Sequence, residues 1–354
     1  MATLNIIGNG FDLYHGLPTS YYDFACYMLT TDEGLYTELS EMYDFPVRLV
    51  DGHTNVGECR VAQKNFWSKF EENLGDLSPE WVEHTLLDDL GLETPEAVTL
   101  DAPNRDRTND LKRKLNEWIS AIDTTDNFQY IISRTNGYAL PFSNEDSFVS
   151  FNYTHTLENV YHTEAENVLH IHGTSSVLNN YNDLIIGHGN EDAINRLSKQ
   201  IEQLRNEPYG EFYQATRNRI VEFSFEKAIL NKLKKPIDLG LMRLNNFLGT
   251  IDTPDCICTY GFSFGEVDDP YIQYICDKFP TAKWRFSYYG DQDRCAISRI
   301  TRLLDLPLTQ FEDFHFCNPT SASIKNEIAH RNNIVYYEDF DSPSGATPWY
   351  CRSR

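Results

Sequence analysis

The sequence predicts an α/β protein with a doubly wound, mostly parallel sheet. Short apolar runs that end in glycine or polar residues recur along the chain, and helical stretches separate them. Buried parallel strands take this form because helices cover both of their faces. With 354 residues the chain is long enough for one large domain or two ordinary ones. We expect a single α/β domain over residues 1–354.

The predicted elements alternate along the chain. The first strand, TLNIIGNG, leads through a glycine turn into a helix, SYYDFACYML, where Ser20 and Asp23 match a capping box. Apolar helical stripes fill residues 30–146 and 191–250, which we interpret as two helical insertions into the α/β core. The remaining strands are predicted at SFVSFNY, VLHIHG, LIIGHG, CICTYGFSFG, WRFSYYG and NIVYY.

The acidic composition argues against nucleic acid and membranes as partners. The chain has 30 basic and 53 acidic side chains, and its formal net charge of -23 repels phosphate backbones and anionic membrane surfaces. The nearest basic patch, Asn231–Pro236, is interpreted as the basic last turn of a helix. No stretch approaches the ~20 apolar residues of a membrane-spanning helix. A small anion held by backbone amides stays compatible with this charge.

Eight cysteines are scattered along the chain. They lack the CxxC spacing that is typical of zinc sites, and no signal peptide precedes them. We therefore expect a cytoplasmic protein with reduced, buried thiols.

Polar or glycine residues follow five of the predicted strands. Ligands of open α/β sheets bind outside the carboxyl ends of the strands. We therefore expect five segments to line one crevice, namely Gly8–Asp12, Asn152–Thr154, His170–Gly173, Gly187–Gly189 and Gly261–Gly265.

The first of these segments does not match the dinucleotide fingerprint of dehydrogenases. The pattern G-x-G-x-x-G would need a third glycine at Leu13, and no second strand ends in a suitably placed acidic residue. Gly8 and Gly10 also have a purely structural interpretation, because glycine permits a left-handed turn. The neighbouring Asn9 and Asp12 favour a loop that faces a ligand.

Three histidines near the strand ends allow a metal site. His170 and His172 would share one face of a strand, and His188 or a carboxylate would complete a ligand set. No HExxH or CxxC frame supports this arrangement, and we favour the interpretation of His170 as a core histidine with satisfied hydrogen bonds. For His155 and His162 we expect a solvated or packing role.

Several segments together resemble a known family. In chain order these are IIGNGFDLYHGLPTSYYDF, FVSFNYTHTLENVYH, LHIHGT, IIGHG and YGFSFGEVDDPYI. Their order and spacing resemble the AbiH family of bacterial abortive-infection proteins, and Asn152 with His172 on successive strands is similar to the sirtuin-type NAD-binding fold. The resemblance implies an enzyme of defence against phage, with NAD as its substrate and NAD hydrolysis as its activity.

The resemblance also implies roles for individual residues. Asn152 would lie beside the nicotinamide ribose, and His172 would act on it. Thr154 stands where sirtuin-like NAD hydrolases often carry an aspartate. The implied NAD-binding residues are Gly8, Asn9, Gly10, Phe11 and Asp12 at the phosphates and nicotinamide ribose, Gly261 and Ser263 near the adenosine ribose, and Thr154 and Gly173.

Other functions stay open at the level of sequence. The crevice would also serve a catalytically silent nucleotide sensor or interaction protein of a defence system, or a metal-dependent hydrolase built on the three histidines. ADP-ribosyl transfer to an acceptor other than water is a further alternative, whereas the four-cysteine zinc module of sirtuin deacylases does not occur. A phage-derived trigger, a partner defence protein and a homo-oligomer are each compatible with the resemblance.

Overall fold

The structure, a computed structural model, describes residues 2–45, 66–67, 69–88, 107–134, 139–175, 181–206, 213–318, 321–332 and 334. Within these residues, six strands form one parallel sheet in the order β3-β2-β1-β4-β5-β6. This strand order is that of the doubly wound dinucleotide-binding folds, and it confirms the predicted fold class. The strands are β1 (Thr3–Ile7), β2 (Ser147–Ser150), β3 (Val168–His170), β4 (Cys256–Tyr260), β5 (Lys283–Tyr288) and β6 (Phe311–His315).

The centre of the sheet is β1. Leu4 lies opposite Ser147 of β2 on one side and Ile257 of β4 on the other. From β1 the chain adds β2 and then β3 on one side of the sheet. It then crosses back to place β4 on the other side of β1, and β5 and β6 follow outward from β4. The reversal between β1 and β4 is the position at which open α/β sheets form a crevice for a ligand.

The helices fall between the strands and in the two helical regions predicted from the sequence. The capping box at Ser20 is present, with both reciprocal hydrogen bonds to Asp23. In chain order the helices are α1 (Asn9–His15), α2 (Tyr21–Thr31), α3 (Glu33–Met42), α4 (Phe70–Asn73), α5 (Pro79–Asp88), α6 (Thr108–Ile122), α7 (Thr125–Arg134), α8 (Thr156–Tyr161), α9 (Glu191–Arg205), α10 (Tyr213–Leu233), α11 (Ile237–Leu248), α12 (Asp269–Lys278), α13 (Asp291–Leu303) and α14 (Ser321–Arg331). Among the described helices, none is both long and apolar enough to cross a membrane.

One predicted strand is absent from the described sheet, and one strand of that sheet was not predicted. The segment LIIGHG is not a strand. Its Gly187 lies against the end of α10, where an added Cβ would be 2.2 Å from the carbonyl oxygen of Leu233. Its pairing is limited to an isolated bridge between His188 and Lys234. The edge strand β6 was not predicted, since the exposed acidic residues Glu312 and Asp313 interrupt its apolar pattern.

The ends of the chain add two further differences. The turn predicted after the first strand is the helix α1, which begins directly at Asn9. Of the last predicted strand, NIVYY, only Ile334 is described and it is not in a strand, whereas the other four residues lie outside the described part of the chain.

The packing divides between the sheet and the helical regions. One face of the sheet, which includes Leu4, Ile257 and Trp284, packs against α11, α12 and α13 in one apolar cluster. The other large core lies among the helices of both predicted insertions, around Trp118 and Phe225, together with α2 and α14. The two helical regions, although distant in sequence, therefore pack as one unit beside the sheet.

Candidate active site

A cavity opens at the carboxyl ends of β1, β2, β3 and β4, where the strand order reverses. As the described residues outline it, its volume is about 170 Å³. Residues of the helical regions and the neighbouring α2 line the side opposite the strand ends, among them Tyr21, Phe70, Glu71, Trp118 and Ile119. The strand ends contribute Gly8, Asn9, Asp12, Asn152, Tyr153, Thr154, His172, Phe262, Ser263, Gly265 and Asp268.

Four of the five predicted strand ends thus meet at this cavity. The fifth, Gly187–Gly189, does not line it. Of the predicted site residues, seven lie on the cavity wall, namely Gly8, Asn9, Asp12, Asn152, Thr154, His172 and Ser263. Four do not, namely Gly10, Phe11, Gly173 and Gly261. Phe11 is wholly buried and packs in a small apolar cluster with Ile7 and Phe148, and Gly173 packs against the backbone of Asp183.

The glycines after β1 bring two strand ends into backbone contact. The amide of Gly8 donates to the carbonyl oxygen of Tyr260 at 3.0 Å, and the amide of Gly10 donates to that of Gly261 at 2.8 Å. A Cβ on Gly10 would lie 2.7 Å from the Cα of Gly261. These two amides are therefore engaged inside the protein, and the glycines permit the close approach of the ends of β1 and β4.

Asp12 is a buried carboxylate on the cavity wall. The hydroxyls of Thr154 and Thr156 each donate to one of its oxygens at 2.7 Å. Burial raises the pKa of Asp12 to about 6, although the two hydroxyls oppose this effect. Thr154 therefore acts here as a hydrogen-bond donor to a carboxylate of α1.

Asn152 is held by hydrogen bonds from two sides. Its side-chain amide donates to the carbonyl oxygen of Gly8 at 3.0 Å. The ring of His170 contacts the carbonyl oxygen of Asn152 through Nδ1 at 3.0 Å and the carboxylate of Glu158 through Nε2 at 2.9 Å. Both ring nitrogens of His170 thus have partners, as we predicted for a histidine with satisfied hydrogen bonds.

His172 is buried on the cavity wall beside Asp268. Its Nε2 atom lies 3.6 Å from Oδ1 of Asp268 and has no hydrogen-bond partner among the described residues. The ring of Phe151 packs against it edge-on at 5.2 Å. Burial alone would raise the pKa of Asp268, but the adjacent Lys235 and His172 lower it to about 2. Asp268 is therefore a carboxylate throughout the physiological pH range.

Lys235 completes a buried ion cluster with Glu71 and Asp268. Its side chain is fully buried, and Nζ lies 2.7 Å from Glu71 Oε2 and 3.0 Å from Asp268 Oδ1. The hydroxyl of Tyr21 donates to the other oxygen of Glu71. The sequence predicts Lys235 in the basic last turn of a helix, but α10 stops at Leu233 and the lysine turns inward.

An ion pair beside the site was not predicted from the sequence. Asp123, at the end of α6, accepts from the backbone amide of His155 at 3.0 Å and contacts its Nδ1 at 2.5 Å. This hydrogen bond raises the pKa of His155, although burial opposes it. We expected a solvated or packing role for His155. Its side chain is partly exposed, and its contact with Asp123 ties the helical region to the loop that carries Asn152.

The chain matches the model of one known protein family. The model of the family described as "Bacteriophage abortive infection AbiH" matches residues 4–288. The chain belongs to the AbiH family. The match covers β1 from its second residue, the strands up to the end of β5 and every residue of the candidate site. The family description supports a role in defence against phage. No curated protein and no solved structure matches the chain.

The three histidines of the metal hypothesis have separate surroundings in this AbiH protein. His170 is bonded to Glu158, His172 lies beside Asp268, and the Nε2 atom of His188 contacts the carbonyl oxygen of Leu230 at 2.9 Å. Within the described residues, no group of three or more His, Cys, Asp or Glu side chains is arranged to hold a metal ion. The three histidines therefore do not form the ligand set that a metal-dependent hydrolase built on them would require.

The raised pKa of Asp12 predicts how this AbiH protein responds to pH. Since the pKa is 3.8 for the ordinary group and about 6 in the fold, ionised Asp12 disfavours folding. The unfavourable contribution grows as pH rises from 3.8 to 6 and reaches about 3 kcal/mol above that range. We expect Asp12→Asn to raise the free energy of unfolding at pH 8 by up to about this amount.

Urea unfolding of both proteins between pH 5.5 and pH 8 measures this difference. The advantage of Asp12→Asn should shrink as pH falls below 6, because the native aspartate then takes up a proton. Asp252→Asn, at an exposed position, serves as the control and should track the native protein. A constant difference at every pH would contradict the prediction.

Proposed function

We propose that this AbiH protein is an NAD glycohydrolase of phage defence, which cleaves the bond between nicotinamide and ribose with water. The observation that supports it is the meeting of Asn152, His172, Asp12 and Asp268 on one buried cavity at the reversal point of the sheet. Amide, imidazole and two differently tuned carboxylates are the groups that this hydrolysis needs. Two carboxylates with separated pKa values are typical of sites with divided roles.

The charge of the cavity fits the reaction. The nicotinamide ring of NAD is cationic and leaves as a neutral molecule, so that positive charge develops on the ribose. Carboxylates of Asp12, Glu71 and Asp268 face the cavity. In a buried site of low dielectric constant, such fixed charges stabilise a developing cation more strongly than they would in water.

The side chains divide the work of the reaction. In the proposed reaction, His172 takes a proton from the attacking water, and its buried Nε2 atom, which has no hydrogen-bond partner among the described residues, supports this role. Asp268, held ionised, orients the imidazole and stabilises its protonated form. Asn152, fixed by Gly8, orients the water and the ribose hydroxyls. No general acid is needed, because the leaving group departs neutral.

The size of the cavity suggests which end of NAD it takes. A volume of about 170 Å³ is below the ~300–1,000 Å³ of sites that enclose a whole drug-sized ligand. We infer that the cavity takes the nicotinamide ribose. The rest of the dinucleotide then extends outward past Ser263, which is exposed at the cavity mouth. This arrangement keeps the diphosphate away from the acidic wall.

Nicotinamide release from NAD tests the proposal. We expect the native protein to release nicotinamide and ADP-ribose in equal amounts, and we expect Asn152→Ala to lose most of this activity. Asn159→Ala, which removes an exposed amide of α8, is the matched control and should retain it. Unequal product amounts would indicate transfer of ADP-ribose to another acceptor.

Two further measurements complete the test. The first is calorimetric titration of the protein with NAD, and the second is the level of NAD in phage-infected cells. NAD binding without nicotinamide release, both in purified form and during infection, would contradict hydrolysis. That result would favour the alternative in which the crevice is a nucleotide sensor.

A further inference from the structure

We propose that Lys235 is a positioning residue of this site. Through the carboxylate of Asp268, which both side chains approach, Lys235 lowers the affinity of His172 for a proton. Glu71 of α4 opposes this effect, because its carboxylate compensates part of the charge of Lys235. The inference rests on the proposed function only for the catalytic use of His172. The charge coupling itself follows from the geometry.

The geometry centres on one carboxylate oxygen. Oδ1 of Asp268 lies 3.0 Å from Nζ of Lys235 and 3.6 Å from Nε2 of His172. The lysine and the imidazole therefore approach the same atom. A proton on His172 is stabilised by Asp268 to the extent that Lys235 does not already compensate this carboxylate.

Glu71 competes for the same lysine. Its Oε2 atom lies 2.7 Å from Nζ of Lys235, which is slightly closer than Asp268. The cluster thus carries one positive and two negative charges, and the surplus of one negative charge lies next to His172. Because the Lys235 side chain has no exposed surface and that of Asp268 is 15% exposed, bulk solvent screens these charges weakly.

The other polar groups around the cluster do not supply that surplus. The hydroxyl of Tyr21 donates to Glu71, and that of Tyr153 donates to the carbonyl oxygen of Ile185. On α12, burial raises the pKa of Tyr271 to about 12, so that this side chain is neutral. Among the described residues, two further cations lie nearby. Arg243 of α11 donates to the carbonyl oxygen of Ile171 at 3.3 Å, and Lys69 on the cavity wall pairs with Glu72 at 3.3 Å. The balance between Lys235, Glu71 and Asp268 therefore dominates the field at His172.

A role in stability alone is a poor explanation of this cluster. Buried ion pairs gain little over well-packed apolar side chains, because removing the charges from water offsets their attraction. Here the cluster joins the end of α10, the helix α4 and the segment after β4 at the wall of a cavity. The backbone of Lys235 is itself fixed by its amide, which donates to the carbonyl oxygen of His188 at 2.9 Å.

Two substitutions with opposite expected results test the inference. The pKa of His172 is measured by NMR titration of the full chain labelled at histidine, with His172→Gln to assign the signal. Glu71→Gln neutralises the cluster and should lower the pKa of His172 by about one unit or more. Lys235→Met leaves an additional uncompensated carboxylate and should raise this pKa by a similar amount.

The neighbouring lysine provides a matched control. Lys234 forms an exposed ion pair with Glu191 at 2.5 Å, and both side chains contact solvent. Glu191→Gln should leave the titration of His172 unchanged, because solvent screens this pair. Since Lys235→Met removes one member of a buried ion pair and is prone to unfold, Glu71→Gln alone also decides the question. An unchanged or raised pKa of His172 in Glu71→Gln overturns the inference.

Activity provides a separate readout. If the proposed hydrolysis is correct, the acidic limb of the pH profile of kcat/KM should move in Glu71→Gln by the same amount as the pKa of His172. If the native protein releases no nicotinamide but the pKa of His172 falls in Glu71→Gln and rises in Lys235→Met, the proposed function is contradicted and the coupling is supported. A protein that is active but shows no shift overturns the coupling and leaves the function intact.

Discussion

Replacement of His172 by alanine is expected to lower the rate of nicotinamide release by about 10²- to 10⁴-fold, the usual contribution of general acid–base catalysis. The imidazole is 3% exposed and lies with Nε2 toward Asp268 on the cavity wall. Its removal takes away the proton acceptor and leaves the carboxylate without that partner. Because Asn152 and the remaining walls are unchanged, the affinity for NAD should fall much less than kcat.

The measurement is steady-state nicotinamide release together with calorimetric titration of NAD. His330→Ala, at an exposed position in the last turn of α14, is the matched control and should keep the native rate. His172→Gln removes the base but fills the space, and it should be as slow as the alanine variant. If His172→Ala retains the native rate, the imidazole is not the proton acceptor and its role is packing.

Replacement of Gly261 by alanine is expected to lower the free energy of unfolding by about 2–5 kcal/mol, since two effects add. The residue has φ +61°, a left-handed conformation that costs about 1–2 kcal/mol for a residue with a Cβ. The added Cβ would lie 2.2 Å from backbone atoms of Gly10 and Phe11. Backbone atoms cannot rotate away as a side chain can, and overpacking of this kind adds about 1–3 kcal/mol.

The same substitution at another glycine should change the free energy of unfolding in the opposite direction. Gly34 is exposed in α3, and its added Cβ would meet only a side-chain oxygen of Asp32 at 3.8 Å. Gly34→Ala should therefore raise stability by about 0.5–1 kcal/mol, as is usual within helices. Urea unfolding of the two variants at one pH measures both effects. Equal stability of Gly261→Ala and the native protein would show that the contact between the ends of β1 and β4 adapts.

The sheet was predictable because its central strands β1, β2 and β4 are largely buried. Apolar runs ending in glycine or polar residues located β1 to β5 and gave the parallel, doubly wound class. The segment around Gly187 has the same local pattern, and only its position against α10 shows that it is a loop. The edge strand β6 was not predicted for the opposite reason. Its Glu312 and Asp313 are exposed to solvent and interrupt the apolar pattern.

The candidate site was predictable where its residues follow the strands. Asn152, His172 and Asp12 are located by the strand ends and by the family resemblance, and they line one cavity. The residues that surround them were not predicted, because they come from distant helices. Glu71 and Lys235 are 164 positions apart, and nothing in the sequence near either residue indicates the other. Such pairs are fixed by the way in which the helical regions pack, which local patterns do not contain.

The central position of β1 has a consequence for how the chain is made. Thr3–Ile7 is the earliest of the six strands in the described chain, yet its neighbours are Ser147–Ser150 and Cys256–Tyr260. Pairing across such separations is slow, because long loops must first close. Until β4 has been synthesised, an apolar strand with an open edge is exposed to aggregation and to chaperones. A nascent chain that ends before Asp268 also lacks part of the cavity wall, so that any activity that depends on the cavity begins only after translation has passed this residue.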